Sequence, residues 1–310
     1  MFMEIFQRRG VAAVQVPTHC RLCPRRCGAD RTKAPGRCGA GGTLKVARAA
    51  LHFWEEPCVS GERGSGTVFF TGCPLGCCYC QNYPISQQGL GKEIDEERLA
   101  DIFLELQAKG AANLNLVTAT QWLPWVTAAL DAARARGLCL PVVWNTGGYE
   151  TAQTVAALKG YVDVWLCDVK YISTEISKKY SDAADYFAVC EEAVAAMLEQ
   201  AGPPVFDDAG YLRRGVILRH LALPGSLGDS LAVLDWMATL PKGSFIPSLM
   251  SQYTPFYKAK ETRPLGRRIS TWEYRQVIGR AVDLGLTNGY MQEKSSAKEE
   301  YTPPFDLEGV

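Results

Sequence analysis

Eight of the twelve cysteines in the chain fall into two runs. In a chain without an export signal, clustered thiols read as metal ligands or catalytic groups before disulfides. The run Cys73-Pro74-Leu75-Gly76-Cys77-Cys78-Tyr79-Cys80 contains a C-x3-C-x2-C spacing. A loop of that length can set three thiolates on three irons of a cubane, and a [4Fe–4S] cubane usually takes four cysteines. One iron is then left without a protein ligand, which is what a small chelating molecule needs. Cys78 is the odd member, because adjacent thiolates rarely share a cubane. Zinc normally closes its shell with four protein ligands, often in C-x2-C pairs, and this triplet is poorly spaced for it.

The second run is Cys20, Cys23, Cys27 and Cys38. Four thiolates suit either zinc or a complete [4Fe–4S] cluster. Cys23-Pro24 is similar to the Cys-Pro of ferredoxin ligand runs, and His19 and Cys58 are spare candidates. Arg21, Arg25, Arg26 and Arg37 would offset either anionic centre. Cys139 and Cys190 lie among apolar residues and read as small core residues.

These groups must be positioned by a fold. The chain has 310 residues, 47% apolar and 21% charged, which excludes a mostly disordered protein. No uncharged apolar stretch reaches the roughly 18 residues of a membrane span. Arg8 and Arg9 interrupt the N-terminus, so no secretory signal is expected and the cytoplasm is the expected location. Formal charge is zero, but residues 1–50 hold ten Lys or Arg against Glu4 and Asp30. Such a segment can face an anionic partner; among so many cysteines it also suits charge compensation of a metal centre. A nucleic-acid partner is not expected, since no recognised RNA-binding motif accompanies the charge.

Residues 1–60 show little periodicity and read as an irregular lobe held by metal. From Gly66 a strand–helix rhythm begins. Strands are expected at Thr67–Thr71, Asn113–Val117, Leu140–Trp144, Val162–Cys167, Gly215–Leu218 and Ser244–Leu249. Helices are expected from Asp95 to Gly110, Trp122 to Arg136, Glu150 to Leu158, Asp185 to Gln200, Ser226 to Leu240 and Ser270 to Leu284. Alternation of this kind implies a parallel sheet, either a six-stranded partial barrel or an open doubly wound sheet, with ligands at the carboxyl ends of the strands. The expected organisation is a cysteine-rich lobe over 1–62, a partial (β/α)6 barrel over 63–290 and a tail over 291–310.

The segment Gly72 to Asn82, placed after the first strand of this rhythm, resembles the radical S-adenosylmethionine (SAM) superfamily. More closely it is similar to relatives of the pyruvate formate-lyase activating enzyme, in a branch with a four-cysteine N-terminal lobe. The resembling segments also include Cys20 to Gly28, His52 to Gly61, Asn145 to Glu150, Val162 to Tyr171, Arg219 to Gly225 and Met250 to Pro255. The resemblance implies a radical SAM partial barrel and reductive cleavage of SAM to a 5′-deoxyadenosyl radical that abstracts hydrogen from a substrate. It implies Cys73, Cys77 and Cys80 as cluster ligands and Tyr79 beside the adenine. Thr118, Thr120 and Gln121 match the position of the superfamily's Gly-Gly-Glu segment, which this chain lacks. Asn145 and Thr146 match a ribose-facing position, Asp168 and Lys170 an Asp-x-Lys near cofactor and peptide. Arg219 and His220 match the cofactor carboxylate position, and Gln252 the adenine-side turn.

Each of these residues also has a plainer reading. Asn145 and Thr146 suit a turn before Gly147-Gly148, Asp168 and Lys170 a structural ion pair, and His220 a core histidine. Expected partners are a flavodoxin or ferredoxin as reductant and a peptide or protein as substrate. The competing functions are activation of a glycyl-radical enzyme and, in a different class, a non-catalytic electron carrier or metal scaffold.

Overall fold

Short apolar runs become strands wherever both faces can be covered. In the computed structural model, which describes residues 14–292 and 303–310, the clearest case is β2 (Ser65–Phe70), buried at every position. The strand preceding it is β1 (Leu44–His52), and β3 (Lys92–Ile94) follows. The series continues with β4 (Leu114–Val117), β5 (Val142–Thr146), β6 (Val164–Asp168), β7 (Val205–Phe206), β8 (Leu212–Leu221), β9 (Ile246–Met250) and β10 (Tyr290–Met291). The helices are α1 (Tyr83–Ser86), α2 (Glu96–Ala108), α3 (Leu123–Ala135), α4 (Ala152–Ala157), α5 (Thr174–Ser181), α6 (Tyr186–Ala201), α7 (Leu227–Met237) and α8 (Thr271–Asp283).

Their ends follow local chemistry. Asp95 caps α2 by accepting from the Arg98 N–H at 2.7 Å, and Leu99, Ile102, Phe103 and Leu106 turn inward. Ser270 and Glu273 form a reciprocal capping box at the start of α8.

Strands β2, β4, β5, β6, β8 and β9 lie side by side in chain order, each pair parallel. A doubly wound sheet reverses its order at a switch point. The unbroken order therefore decides for a partial barrel. The sheet stays open, running from β10 at one edge to β3 at the other. All six carboxyl ends share one rim, and that rim carries the candidate site.

Several expectations need correction. Residues 44–52 are not irregular: β1 pairs antiparallel with β2 and extends the sheet. Strand β5 begins after Pro141 and runs on through Asn145 and Thr146, so both are strand residues. Strand β8 likewise continues through Arg219 and His220 to Leu221. Cys139 is exposed rather than buried, because it sits in the irregular stretch between α3 and β5; Cys190 is fully buried as expected. In the tail, 303–310 is irregular but docked: the Ala49 N–H donates to the Glu308 carbonyl at 2.8 Å, and Arg48 pairs with Asp306 and Glu308. The rest of the expected tail up to residue 302, like Arg8 and Arg9, lies outside the described residues. Among the described residues no helix is long and apolar enough to cross a membrane.

Candidate functional site

The cysteine loop leaves the end of β2 through Gly72, whose φ of +86° favours glycine. Backbone bonds then fix the loop from several sides. The Cys73 N–H donates to the Cys38 carbonyl at 3.1 Å, Gly76 N–H to Ser181 at 3.2 Å and Cys78 N–H to Tyr180 at 2.8 Å. Arg25 Nε donates to the Pro74 carbonyl at 2.9 Å, and Gln87 Nε2 to the Leu75 carbonyl at 3.0 Å.

Cys73, Cys77 and Cys80 all line one cavity of about 240 Å³ at the rim. Burial first, then mutual repulsion with Cys77 and Cys80, pushes the Cys73 thiol well up. Burial and the Cys77 charge push Cys80 up to about 11. Bare, the set favours protonated sulfur. Against that, the Leu75 N–H is aimed at the Cys73 sulfur and the Asn82 N–H at the Cys80 sulfur, two residues ahead in both cases. Amide donors of this kind stabilise thiolate. Desolvated sulfurs with pre-aimed N–H groups fit an iron–sulfur cluster, whose positive irons relieve the repulsion. Among the described residues no three His, Cys, Asp or Glu side chains stand around a single metal-ion position. A cubane distributes its ligands over separate irons, so the loop does not require such convergence.

A hydrogen-bond chain runs from the cavity to one of the three thiols. Tyr79 and Tyr171 share a bond at 2.5 Å, Tyr171 and Ser181 at 2.8 Å, and the Ser181 hydroxyl meets Cys77 Sγ at 2.9 Å. On the opposite wall is a polar ladder. Lys170 Nζ donates to Asp168 Oδ2 at 2.6 Å, and Arg219 Nε to Asp168 Oδ1 at 2.7 Å. Arg219 also reaches Glu55 Oε2 at 3.0 Å and Asn145 Oδ1 at 2.6 Å. Burial alone would raise the Asp168 carboxyl, but Arg219 and Lys170 outweigh it and hold it below its usual range. Burial would lower Lys170; the Asp168 and Cys77 charges outweigh it and keep the ammonium charged. Three of the Arg219 donors are committed within the ladder, so Lys170, whose ammonium bonds Asp168 alone among the described residues, is the freer cation for an anionic group in the cavity.

The structure thus brings Tyr79, Thr118, Asn145, Thr146, Asp168, Lys170, Arg219 and Gln252 to the same cavity as the three cysteines. It places three expected residues elsewhere. His220 alternates with Arg219 along β8 and points the other way, with ring nitrogens bonded to the Val169 carbonyl at 2.8 Å and Ser230 Oγ at 2.9 Å. Gln121 is buried behind the cysteine loop, its Nε2 donating to the carbonyls of Thr71, Gly72 and Thr118. Thr120 donates to Glu150 Oε1 at 2.5 Å. Of the lobe cysteines, Cys20, Cys23 and Cys38 are buried and Cys27 is exposed; they lie outside the cavity lining.

Two carboxylates were not singled out from the sequence. Glu55 accepts from Asn115 and Asn145 as well as Arg219, and lies in a segment without periodicity. Glu150 accepts on Oε1 from Thr120, from Thr146 at 2.7 Å and from Trp144 at 3.3 Å, while its buried Oε2 has no partner. Burial raises the Glu150 carboxyl above its usual 4.5, against those three donors. The folded state therefore prefers it protonated. Its contribution is complete below 4.5 and is lost as pH rises through the raised folded value. Glu150→Gln keeps an acceptor for the three donors and removes the titration. Urea midpoints taken across this range are expected to fall with rising pH more steeply in the parent than in the variant.

Residues 67–208, a little under half of the chain, match the family model of the Radical SAM superfamily, a span that takes in the cysteine loop and strands β4, β5 and β6. A curated protein of Methanocaldococcus jannaschii, described as uncharacterized, is 27% identical over 275 residues, covering 86% of this chain and 75% of that protein. Among solved structures, a radical SAM methyltransferase from Sphaerobacter thermophilus is 14% identical, with a TM-score of 0.48 over 75% of this chain and 69% of that one. Streptococcus suis SuiB bound to precursor peptide SuiA is 10% identical, with a TM-score of 0.45 over 71% of this chain. The present chain covers 46% of SuiB.

Proposed function

We propose that this chain is a radical SAM enzyme whose cluster sits on Cys73, Cys77 and Cys80. The observation that carries the reading is the placement of three thiols, at C-x3-C-x2-C spacing, on a cavity walled by the carboxyl ends of a sequential parallel sheet. When bound, a [4Fe–4S] cluster and SAM would supply reductive cleavage of the S–C5′ bond and a carbon radical that takes hydrogen from a substrate. The chain's own residues do the positioning. Tyr79 offers an aromatic wall whose hydroxyl is tied to Tyr171. Lys170 is held beside the Cys77 charge and offers its remaining donors to an anion. Asn145 and Arg219 hold each other at 2.6 Å, which fixes the polar face of the cavity. Buried Leu75 and Tyr253 help keep water from the reacting centre.

The likeness of Asp168-Val169-Lys170 to the Asp-x-Lys of activating enzymes extends the reading to a peptide or protein segment as hydrogen donor. A flavodoxin or ferredoxin is the fitting reductant. The test is electron paramagnetic resonance of the anaerobically reduced protein. A signal that SAM alters, absent in Cys77→Ala, supports an iron open to the cofactor. A parent in which no signal responds to SAM contradicts it.

A further inference from the structure

The four cysteines of the lobe are not used by that reaction, and their placement gives them a role. The chain from Cys20 to Gly28 closes on itself: Gly28 N–H donates to the Cys20 carbonyl at 3.0 Å, Arg26 N–H to the Cys23 carbonyl at 3.0 Å and Cys20 N–H to the Ala29 carbonyl at 3.0 Å. A second tight turn carries Cys38, closed by Gly36 N–H on the Ala40 carbonyl at 3.0 Å. The two turns bring their sulfurs together. A Cβ on Gly36 would stand 3.4 Å from Cys27 Sγ and 3.7 Å from Cys38 Sγ.

Amide donors are aimed at these sulfurs in a repeating way. The Arg25 N–H points to Cys23, the Ala29 N–H to Cys27 and the Ala40 N–H to Cys38, each from two residues ahead. This is the same relation that Leu75 bears to Cys73 and Asn82 to Cys80. Burial pushes the Cys23 and Cys38 thiols up, and these amides, with the Arg31 charge beside Cys38, act against it.

Position then decides what such a centre is for. Cys27 is exposed. Cys38 is buried, and its carbonyl accepts the backbone N–H of Cys73, a ligand of the first cluster. Gly72 leaves no space between the two, since a Cβ there would lie 2.5 Å from the Cys38 oxygen. One end of the lobe therefore meets solvent, and the other is bonded through a single peptide contact to the reaction centre. A structural zinc could occupy any corner of a protein. A redox centre gains from this one.

We propose that Cys20, Cys23, Cys27 and Cys38 hold a second iron–sulfur cluster that relays electrons from a docked carrier to the cluster on Cys73, Cys77 and Cys80. The proposal rests on the reading of that triad as a cluster site. A reduced flavodoxin or ferredoxin loses one electron; the lobe cluster gains it and passes it on; the triad cluster ends one electron more reduced. No bond forms or breaks, and the lobe cluster returns to its starting state.

The test uses the full chain. In a Cys73→Ser/Cys77→Ser/Cys80→Ser variant reconstituted without oxygen, about four irons per chain should remain, as one [4Fe–4S] cluster requires. Their reduced signal should not respond to SAM. Zinc in their place overturns the proposal. Because that variant could lose iron by misfolding, Cys20→Ser/Cys27→Ser is measured beside it. It should lose half of the parent's iron and keep the SAM-responsive signal; full retention of iron overturns the second site. In stopped-flow absorbance, this variant should lose reduction of the triad cluster by reduced flavodoxin while dithionite still reduces it. Equal reduction by flavodoxin in parent and variant overturns the relay. Failure of the triad reading would show separately, as a parent protein whose iron signal ignores SAM.

Discussion

Replacing Arg219 by methionine will destabilise the chain by about 3–5 kcal/mol, the usual cost of removing one partner from a buried ion pair. Arg219, Glu55 and Asp168 keep between 11% and 19% of their side-chain surface. The guanidinium ties three strand positions and one loop together, and methionine fills similar space without any of those bonds. Glu55 would lose its cation, and Asp168 would keep only Lys170. The Asp168 carboxyl is held below its usual 3.8 by Arg219 and Lys170 against burial. Its stabilising effect is present above 3.8 and is lost as pH falls through the depressed folded value. The variant should accordingly show a weaker acid limb in its urea midpoints. Arg280→Met is the control. Its pair with Asp235 is more than 40% exposed on both sides and is worth about 1 kcal/mol or less.

The second large effect is on metal loading. Gly72→Ala should strip iron from the triad, because it strains the backbone and drives Cβ against the Cys38 carbonyl. The left-handed backbone alone costs an alanine about 1–2 kcal/mol. The collision adds to this and breaks the bond between Cys73 and Cys38. Gly110→Ala separates the two contributions, since Gly110 has a φ of +84° and nothing within 4 Å of an added Cβ. Iron per chain after anaerobic reconstitution should stay at the parent level in Gly110→Ala and fall in Gly72→Ala. Equal loading would mean that the contact between the two cysteine sets is dispensable.

Much of this architecture can be read from the chain because its strands are buried on both faces. Runs such as Val68–Phe70 and Val164–Cys167 announce themselves by continuous apolarity. Strand β1 does not. It is rich in alanine and interrupted by Arg48, whose charge is answered by Asp306 and Glu308 more than 250 residues away. Helix α5 is similarly silent, since Ser177, Tyr180 and Ser181 make up its buried face and form no apolar stripe.

The cysteine triad was legible because its three thiols share one loop. The ladder was only half legible. Asp168, Lys170 and Arg219 lie on strand ends, whereas Glu55 meets Arg219 across 164 positions. His220 shows a further limit. Beside a cavity residue in sequence, it faces the other side of the strand, and only the extent of β8 to Leu221 reveals this. Thr120 and Gln121 are turned aside by a short 3₁₀ turn at Thr120–Trp122 that no residue type foretells.

The most direct test of the central claim is formation of 5′-deoxyadenosine. The protein would be purified and reconstituted without oxygen, then given dithionite and SAM, with product measured by mass spectrometry in the parent and in Cys80→Ser. The account predicts product from the parent and none from the variant. A parent that carries its full iron yet neither binds SAM nor forms 5′-deoxyadenosine would contradict it and leave a chain that only stores or carries electrons.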